Sequence, residues 1–213
     1  TDYKHIEALR NRSIEGEHPY VSFGGIVLKR SLAGEVCNVS VLVAIGVDQE
    51  GFRQIPGVQE GHKEGKAGRS PFLEHLKGRG PKGICFIISH ASMGLVQAAA
   101  EYYPEADWQR CAVHLYRNVF SHLPRDKMRQ VSAILKAIHA QESREAALEK
   151  SEKELLLNLG DAFTEAAELI EQSVAETLTF YAYPQAHWLK IRTKNTLERI
   201  MRDTISVQKK NIT

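Results

Sequence analysis

The run Val36–Val47 (VCNVSVLVAIGV) constrains this chain more than any other segment. It is rich in β-branched residues, stops at a turn over Asp48–Gly51, and falls well short of the ~20 apolar residues a membrane helix needs. Two further strand-like segments flank it. Tyr20–Leu28 (YVSFGGIVL) is interrupted by Gly24-Gly25, and Phe52–Val58 carries Pro56, which argues for an edge or a strand end. The three read as an antiparallel set.

The pattern then changes. Gly61–Ser70 reads as a Gly- and Lys-containing loop and Pro71–Lys77 as a short helix. Ile84–Ser89 (ICFIIS) is short enough for a buried strand, and it passes into a helix over Gly94–Tyr103. Trp108–Val113 reads as one more strand, after which β character stops. Val131, Ile134, Leu135 and Ile138 fall on one face of a helix. Leu148, Leu155, Leu156 and Leu159 suggest a second helix, and Phe163, Ala167, Ile170, Val174 and Leu178 a third. Pro184 precedes a final helical run, Thr193–Ile205. The order predicts a mixed α/β core with an all-helical addition.

Composition excludes disorder. Hydrophobic residues make up 43% of the 213 and charged residues 25%, enough apolar material for a real core. Three scattered cysteines, Cys37, Cys85 and Cys111, do not make a disulfide scaffold and point to a reducing, cytoplasmic setting. No transmembrane segment or leader is evident. The chain opens on Thr1 rather than Met and is expected to be a piece of a longer protein.

The net charge of +2 hides a polarity. Residues 141–172 carry Glu142, Glu145, Glu149, Glu152, Glu154, Asp161, Glu165, Glu168 and Glu171 against Arg144, Lys150 and Lys153, a net of −6. Residues 186–213 carry Lys190, Arg192, Lys194, Arg199, Arg202, Lys209 and Lys210 against Glu198 and Asp203, a net of +5. A basic end of this kind suits phosphate, although it also suits plain solvation.

Two local patterns invite chemistry. Strand, His90-Ala91-Ser92-Met93-Gly94 and helix together look like a nucleophile elbow, but an elbow needs a small residue two places before its serine, and His90 stands there. A turn with an incidental serine fits better. Cys111 and His114 have the spacing of two zinc ligands, yet a structural zinc takes four. A buried thiol beside a hydrogen-bonded imidazole is the expectation.

A longer signal spans nearly the whole chain. HPYVSFGGIVLK (His18–Lys29), VLVAIGVDQEGFRQIPG (Val41–Gly57), FLEHLKGRGPKGICFIISHASMGL (Phe72–Leu95), WQRCAVHLYRN (Trp108–Asn118) and HWLKIRTKNTLERI (His187–Ile200) resemble, in order and spacing, the bacterial mutator-type insertion-sequence transposases. The resemblance implies an RNase H-like mixed sheet with flanking helices and an all-helical insertion before the last catalytic helix. On that template residues 1–18 are a lead-in, 19–120 the first part of the core and 121–186 the insertion. Residues 187–205 are the final core helix, and 206–213 a tail.

The resemblance also implies metal-dependent DNA cleavage and strand transfer, with two Asp and one Glu holding Mg²⁺ or Mn²⁺. Carried over residue by residue, the first Asp position is Gly24, the second is His90, and only the Glu survives, as Glu198. Glycine offers no ligand, a histidine nitrogen is a softer donor than Mg²⁺ prefers, and one carboxylate does not hold two ions. Asp48 and Asp107 are poor stand-ins: one sits in a turn, the other before a different strand. The implied reading is a transposase catalytic-domain fragment with an inactive site and no bound metal. Its alternative is a non-catalytic DNA- or partner-binding remnant. By resemblance, Cys111, His114 and Asn195 order the local structure, and Arg110, Arg117, Lys190, Arg192, Lys194 and Arg199 are candidates for phosphate contacts. The partners implied are double-stranded DNA and a second copy of the chain.

Overall fold

The computed structural model describes residues 2–32, 35–61, 66–159, 163–194 and 198–199. Helix α1 (Asp2–Asn11) leads into strand β1 (Tyr20–Leu32), which pairs antiparallel with β2 (Glu35–Val47) from Tyr20↔Val47 to Leu32↔Glu35. The Gly24-Gly25 step does not interrupt β1, because both glycines lie in this ladder, opposite Val43 and Leu42. The turn after β2 is closed by Asp48, whose Oδ1 accepts from the backbone N–H of Glu50 (3.1 Å) and Phe52 (2.8 Å). Gly51, at φ 86°, takes the left-handed conformation the turn needs.

β3 (Arg53–Gly61) returns along β2 with a register shift between Ala44 and Gly46. Pro56 falls in that irregularity on the outermost strand, where a missing N–H disrupts no central ladder. Helix α2 (Lys66–Gly78) starts inside the segment expected as loop, and Pro71 lies within it. Proline's fixed φ is helix-compatible, and what it forfeits is one backbone donor.

β4 (Phe86–Ser89) runs parallel to β1 and leads into α3 (Met93–Tyr102). β5 (Asp107–Arg110) completes a five-stranded mixed sheet in the order β3-β2-β1-β4-β5. The expected strand Trp108–Val113 is therefore corrected. It ends at Arg110, and Ala112 and Val113 already belong to α4 (Ala112–Ser121), whose buried Ala112, Leu115 and Val119 recur at helical spacing.

The chain divides into two compact units, residues 1–108 with 194–213, and residues 109–193. In unit 1, α2 and α3 supply Phe72, Leu73, Leu76, Leu95, Ala98 and Ala99 to a core shared with Val21, Phe23, Leu42, Ala44 and Ile87 of the sheet. Each large side chain buried here contributes roughly 1.5–3 kcal/mol. Phe72 meets Phe23 edge to face at 6.1 Å, and it comes so close to β3 that a Cβ on Gly57 would stand 3.1 Å from its ring.

Unit 2 is helical after its first residues. α5 (Met128–Ile138) buries Val131, Ile134, Leu135 and Ile138, the face its spacing predicts. α6 (Arg144–Glu154) passes into a π-helical turn, Leu155–Leu159. Of the leucines expected there, Leu148 and Leu155 are half-buried and Leu159 is buried, and only Leu156 departs. The wider turn leaves Leu156 85% exposed while Leu159 is 2% exposed. α7 (Thr164–Ser173) buries Ala167 and Ile170, two residues of the third predicted face, and 3₁₀ turns carry the chain on to α8 (Trp188–Ile191). Most of the predicted run Thr193–Ile205 lies outside the described residues. No helix among the described residues is long and apolar enough to cross a membrane.

Candidate functional site

The β1–β4 ladder decides where the unit 1 candidates stand. It pairs Tyr20 with Phe86, Val21 with Ile87 and Ser22 with Ile88. Each pair is 66 positions apart (86 − 20, 87 − 21, 88 − 22), the same separation as Gly24 and His90 (90 − 24). The ladder ends at Ser22↔Ile88; Gly24 lies two residues further along β1, and His90 is the residue immediately after β4.

The turn that carries His90 is tightly held. Ser89 is fully buried; its Oγ donates to the His90 carbonyl (2.9 Å) and accepts from the Trp108 indole N–H (2.9 Å). The Ser92 backbone N–H donates to the same carbonyl (2.8 Å), and the Ser92 carbonyl accepts from Leu95 and Val96 as α3 begins. His90 itself is half-buried, and Gly24 is buried. Glu198 belongs to this unit as well, half-buried, its backbone N–H donating to Lys194 O (3.1 Å). Asn195 lies outside the described residues.

In unit 2 the residues after Trp108 are built into the structure one by one. Gln109 is fully buried: its Oε1 accepts from the Phe180 backbone N–H (2.7 Å) and its Nε2 donates to Ile191 O (3.3 Å). The Arg110 guanidinium is 8% exposed and donates to Ser173 Oγ (2.6 Å) and to Glu176 (3.2 Å). Fully buried Cys111 stands at the N-cap of α4, its carbonyl accepting from His114 and Leu115. The Cys111 thiol and a His114 ring nitrogen lie within 4.8 Å.

Behind α4 lies a polar cluster that no sequence pattern announced. His139 accepts or donates at both ring nitrogens, Nδ1 with Leu135 O (2.9 Å) and the Tyr116 hydroxyl (3.1 Å), Nε2 with Thr177 Oγ1 (2.8 Å). Burial, reinforced by the nearby Arg192 cation and opposed by the Leu135 carbonyl, pulls the imidazole down to about 4. Burial pushes the Tyr116 phenol up to about 12. Arg192 donates to His139 O (3.1 Å), and its own carbonyl accepts from Ala112 N–H.

The candidate phosphate contacts therefore separate. Arg110 and Lys194 are buried, 8% and 4% exposed, and Arg192 is engaged with His139. Arg117, Lys190 and Arg199 are exposed. Asp48 is occupied in its turn, where Oδ2 also accepts from Gln54 (3.2 Å). Trp108, Gln109 and His139 were missed as structural residues. The first two were visible only as letters of a motif, and His139 carries no signal in a single sequence.

A protein of this kind has a mixed five-stranded sheet followed by a helical unit, with its signature residues at the strand ends and at the start of α4. The sequence of the chain matches those of known proteins. The family model described as Transposase, Mutator family matches residues 3–210, and the chain belongs to that family. It is 33% identical over 198 residues to the transposase for insertion sequence element ISRM5 of Rhizobium meliloti, covering 92% of this chain and 49% of that protein. Against the transposase for insertion sequence element IS1081 of Mycobacterium tuberculosis it is 33% identical over 199 residues, 93% of this chain and 48% of that one. The transposase for insertion sequence element IS406 of Burkholderia multivorans matches at 34% over 199 residues, 93% and 51%. The chain thus spans about half the length of the curated relatives it matches.

Proposed function

We propose that this chain is the catalytic portion of an insertion-sequence transposase, acting on double-stranded DNA in the cytoplasm, with an RNase H-like core whose metal centre has lost two of its three carboxylates. The observation that supports this most is the shared 66-residue offset of the β1–β4 ladder and of the Gly24–His90 pair. A metal-dependent site whose first two acids stood on these neighbouring parallel strands would have the same offset. The donors do not fit a pair of hard divalent ions. Gly24 has no side chain, His90 offers nitrogen, and Glu198 is a single carboxylate. No cleavage step is therefore assigned to the chain as it stands. The half-buried His90 and the exposed Arg117, Lys190 and Arg199 also suit a second reading, a remnant that holds DNA without cutting it.

The test is plasmid nicking with Mg²⁺ or Mn²⁺ by three proteins: the chain itself, Gly24→Asp/His90→Asp, and that double variant carrying Glu198→Ala. The unmodified chain is expected to leave plasmid intact. The double variant should bind divalent ion by calorimetry, and Glu198→Ala should weaken that binding at least tenfold. Nicking by the unmodified chain, lost in a fourth protein carrying Glu198→Ala alone, would refute the inactive site. DNA binding is expected to be independent of sequence and to weaken steeply between 50 and 200 mM salt, through counterion release. Replacing Arg117, Lys190 and Arg199 together should flatten that slope; an unchanged slope would remove them from the binding surface.

A further inference from the structure

One groove in unit 2 has no part in the chemistry above. It is a cavity of about 610 Å³ bounded by α6, the π-helical turn and α7. Leu148, Leu155, Ala167 and Val174 give it an apolar floor, and Leu156 stands at its side 85% exposed. Its charged lining residues are all acidic: Glu152, Glu168 and Glu171. Ser151 lines the same groove at 2% exposure, and its hydroxyl has no hydrogen-bond partner among the described residues. A buried hydroxyl left unpaired costs about 1–3 kcal/mol, so it marks a place where a partner's polar group would be favourable.

α7 sorts its side chains by face. Ala166 and Ile170 are fully buried on the inner side, while Glu168 and Glu171 line the groove. The π-helical turn works in the same direction. It leaves Leu156 85% and Leu157 68% exposed. Neither leucine is spent on the core of unit 2. An apolar trough about one ten-residue helix long, ~15 Å, with carboxylates along it, has a definite complement.

We propose that this groove is a docking site for an amphipathic helix of a partner polypeptide, with an apolar stripe at i, i+3, i+4 and i+7 flanked by Lys or Arg. The stripe would cover Leu148, Leu155 and Leu156, the bases would meet Glu168 and Glu171, and a polar group of the helix would reach the Ser151 hydroxyl. Charge selects the occupant: the segment 141–172 has a net charge of −6, which repels nucleic acid and acidic helices alike. The proposal is independent of whether unit 1 is catalytically active.

The test uses a fluorescein-labelled fourteen-residue peptide with leucines in that stripe and lysines elsewhere, titrated with the whole chain by anisotropy, beside a control in which every lysine is glutamate. The lysine peptide should bind saturably, more tightly at 50 than at 500 mM salt, and the glutamate peptide should not bind. Leu156→Asp, at a solvent-exposed site, should weaken binding more than tenfold with an unchanged circular dichroism spectrum. Ser151→Ala should weaken it a few-fold. Glu168→Lys/Glu171→Lys should reverse the preference, rejecting the lysine peptide and accepting the glutamate one. Equal binding of both peptides, or binding indifferent to Leu156→Asp and to the charge reversal, would overturn the proposal. So would concentration-dependent dimerisation abolished by Leu156→Asp, because the occupant would then be a second copy of the chain.

Discussion

In unit 2 the residues that follow Trp108 are consumed by the fold. Gln109 satisfies two backbone groups, Arg110 joins Ser173 and Glu176, and Cys111 starts α4. In unit 1 the backbone of Gly24 lies opposite Val43 in the β1–β2 ladder, and the His90 carbonyl accepts from Ser89 and Ser92. Changing a side chain at position 24 or 90 leaves those bonds in place. Changing Gln109 strands buried partners. Backbone bonds of this kind survive a change of side chain, whereas a buried side chain that satisfies backbone groups cannot be replaced without cost.

The largest test of that contrast is Gln109→Ala. It removes the acceptor for Phe180 N–H and the donor to Ile191 O, and should cost about 2–4 kcal/mol in urea denaturation. A cost below 1 kcal/mol would show that the motif residue is not structural.

Acid should act on unit 2 through His139. Its folded value of about 4 lies below the ordinary 6.5, so the unfolded chain binds the proton more tightly. The contribution is fully present above pH 6.5 and falls away as pH drops toward 4, by about 3 kcal/mol at most. Denaturation measured from pH 7 to 4 should show a steeper loss in the chain than in His139→Asn, which has no proton to gain. Parallel curves would sink the assignment.

In unit 1, Gly57→Ala pushes a methyl to 3.1 Å from the Phe72 ring and should destabilise by about 1–3 kcal/mol through displaced packing. A neutral result would mean that Phe72 shifts freely. The smallest effect expected is that of Ser89→Ala, about 1 kcal/mol, which leaves the buried indole N–H of Trp108 without its acceptor. Trp108 fluorescence should report the change, and an unaltered spectrum would deny the bond a role in setting the β4–α3 turn.

Much of the fold was legible from local pattern. The run Val36–Val47 and its turn at Asp48 emerge as β2 and the hairpin to β3, Pro56 falls on the edge strand, and Val131–Ile138 forms the buried face of α5. These depend on alternation, turn chemistry and helical spacing, which neighbouring residues carry in themselves. Leu156 departs from the expected face, in a π-helical turn that changes the period without changing the letters. Arg110 and Lys194 looked like surface bases and are buried, because partners far away in sequence, for Arg110 residues 173 and 176, decide where a long cationic side chain is satisfied.

The candidate site divides along the same line. The sequence by itself named the family and showed which letters stand at positions 24, 90 and 198, since the identity of a ligand is a property of one residue. Only the tertiary structure supplied the parallel pairing of β1 with β4, and only it left Leu156 exposed beside three glutamates. Register and burial arise from the pairing of segments dozens of residues apart, and no local stretch of the chain contains that information.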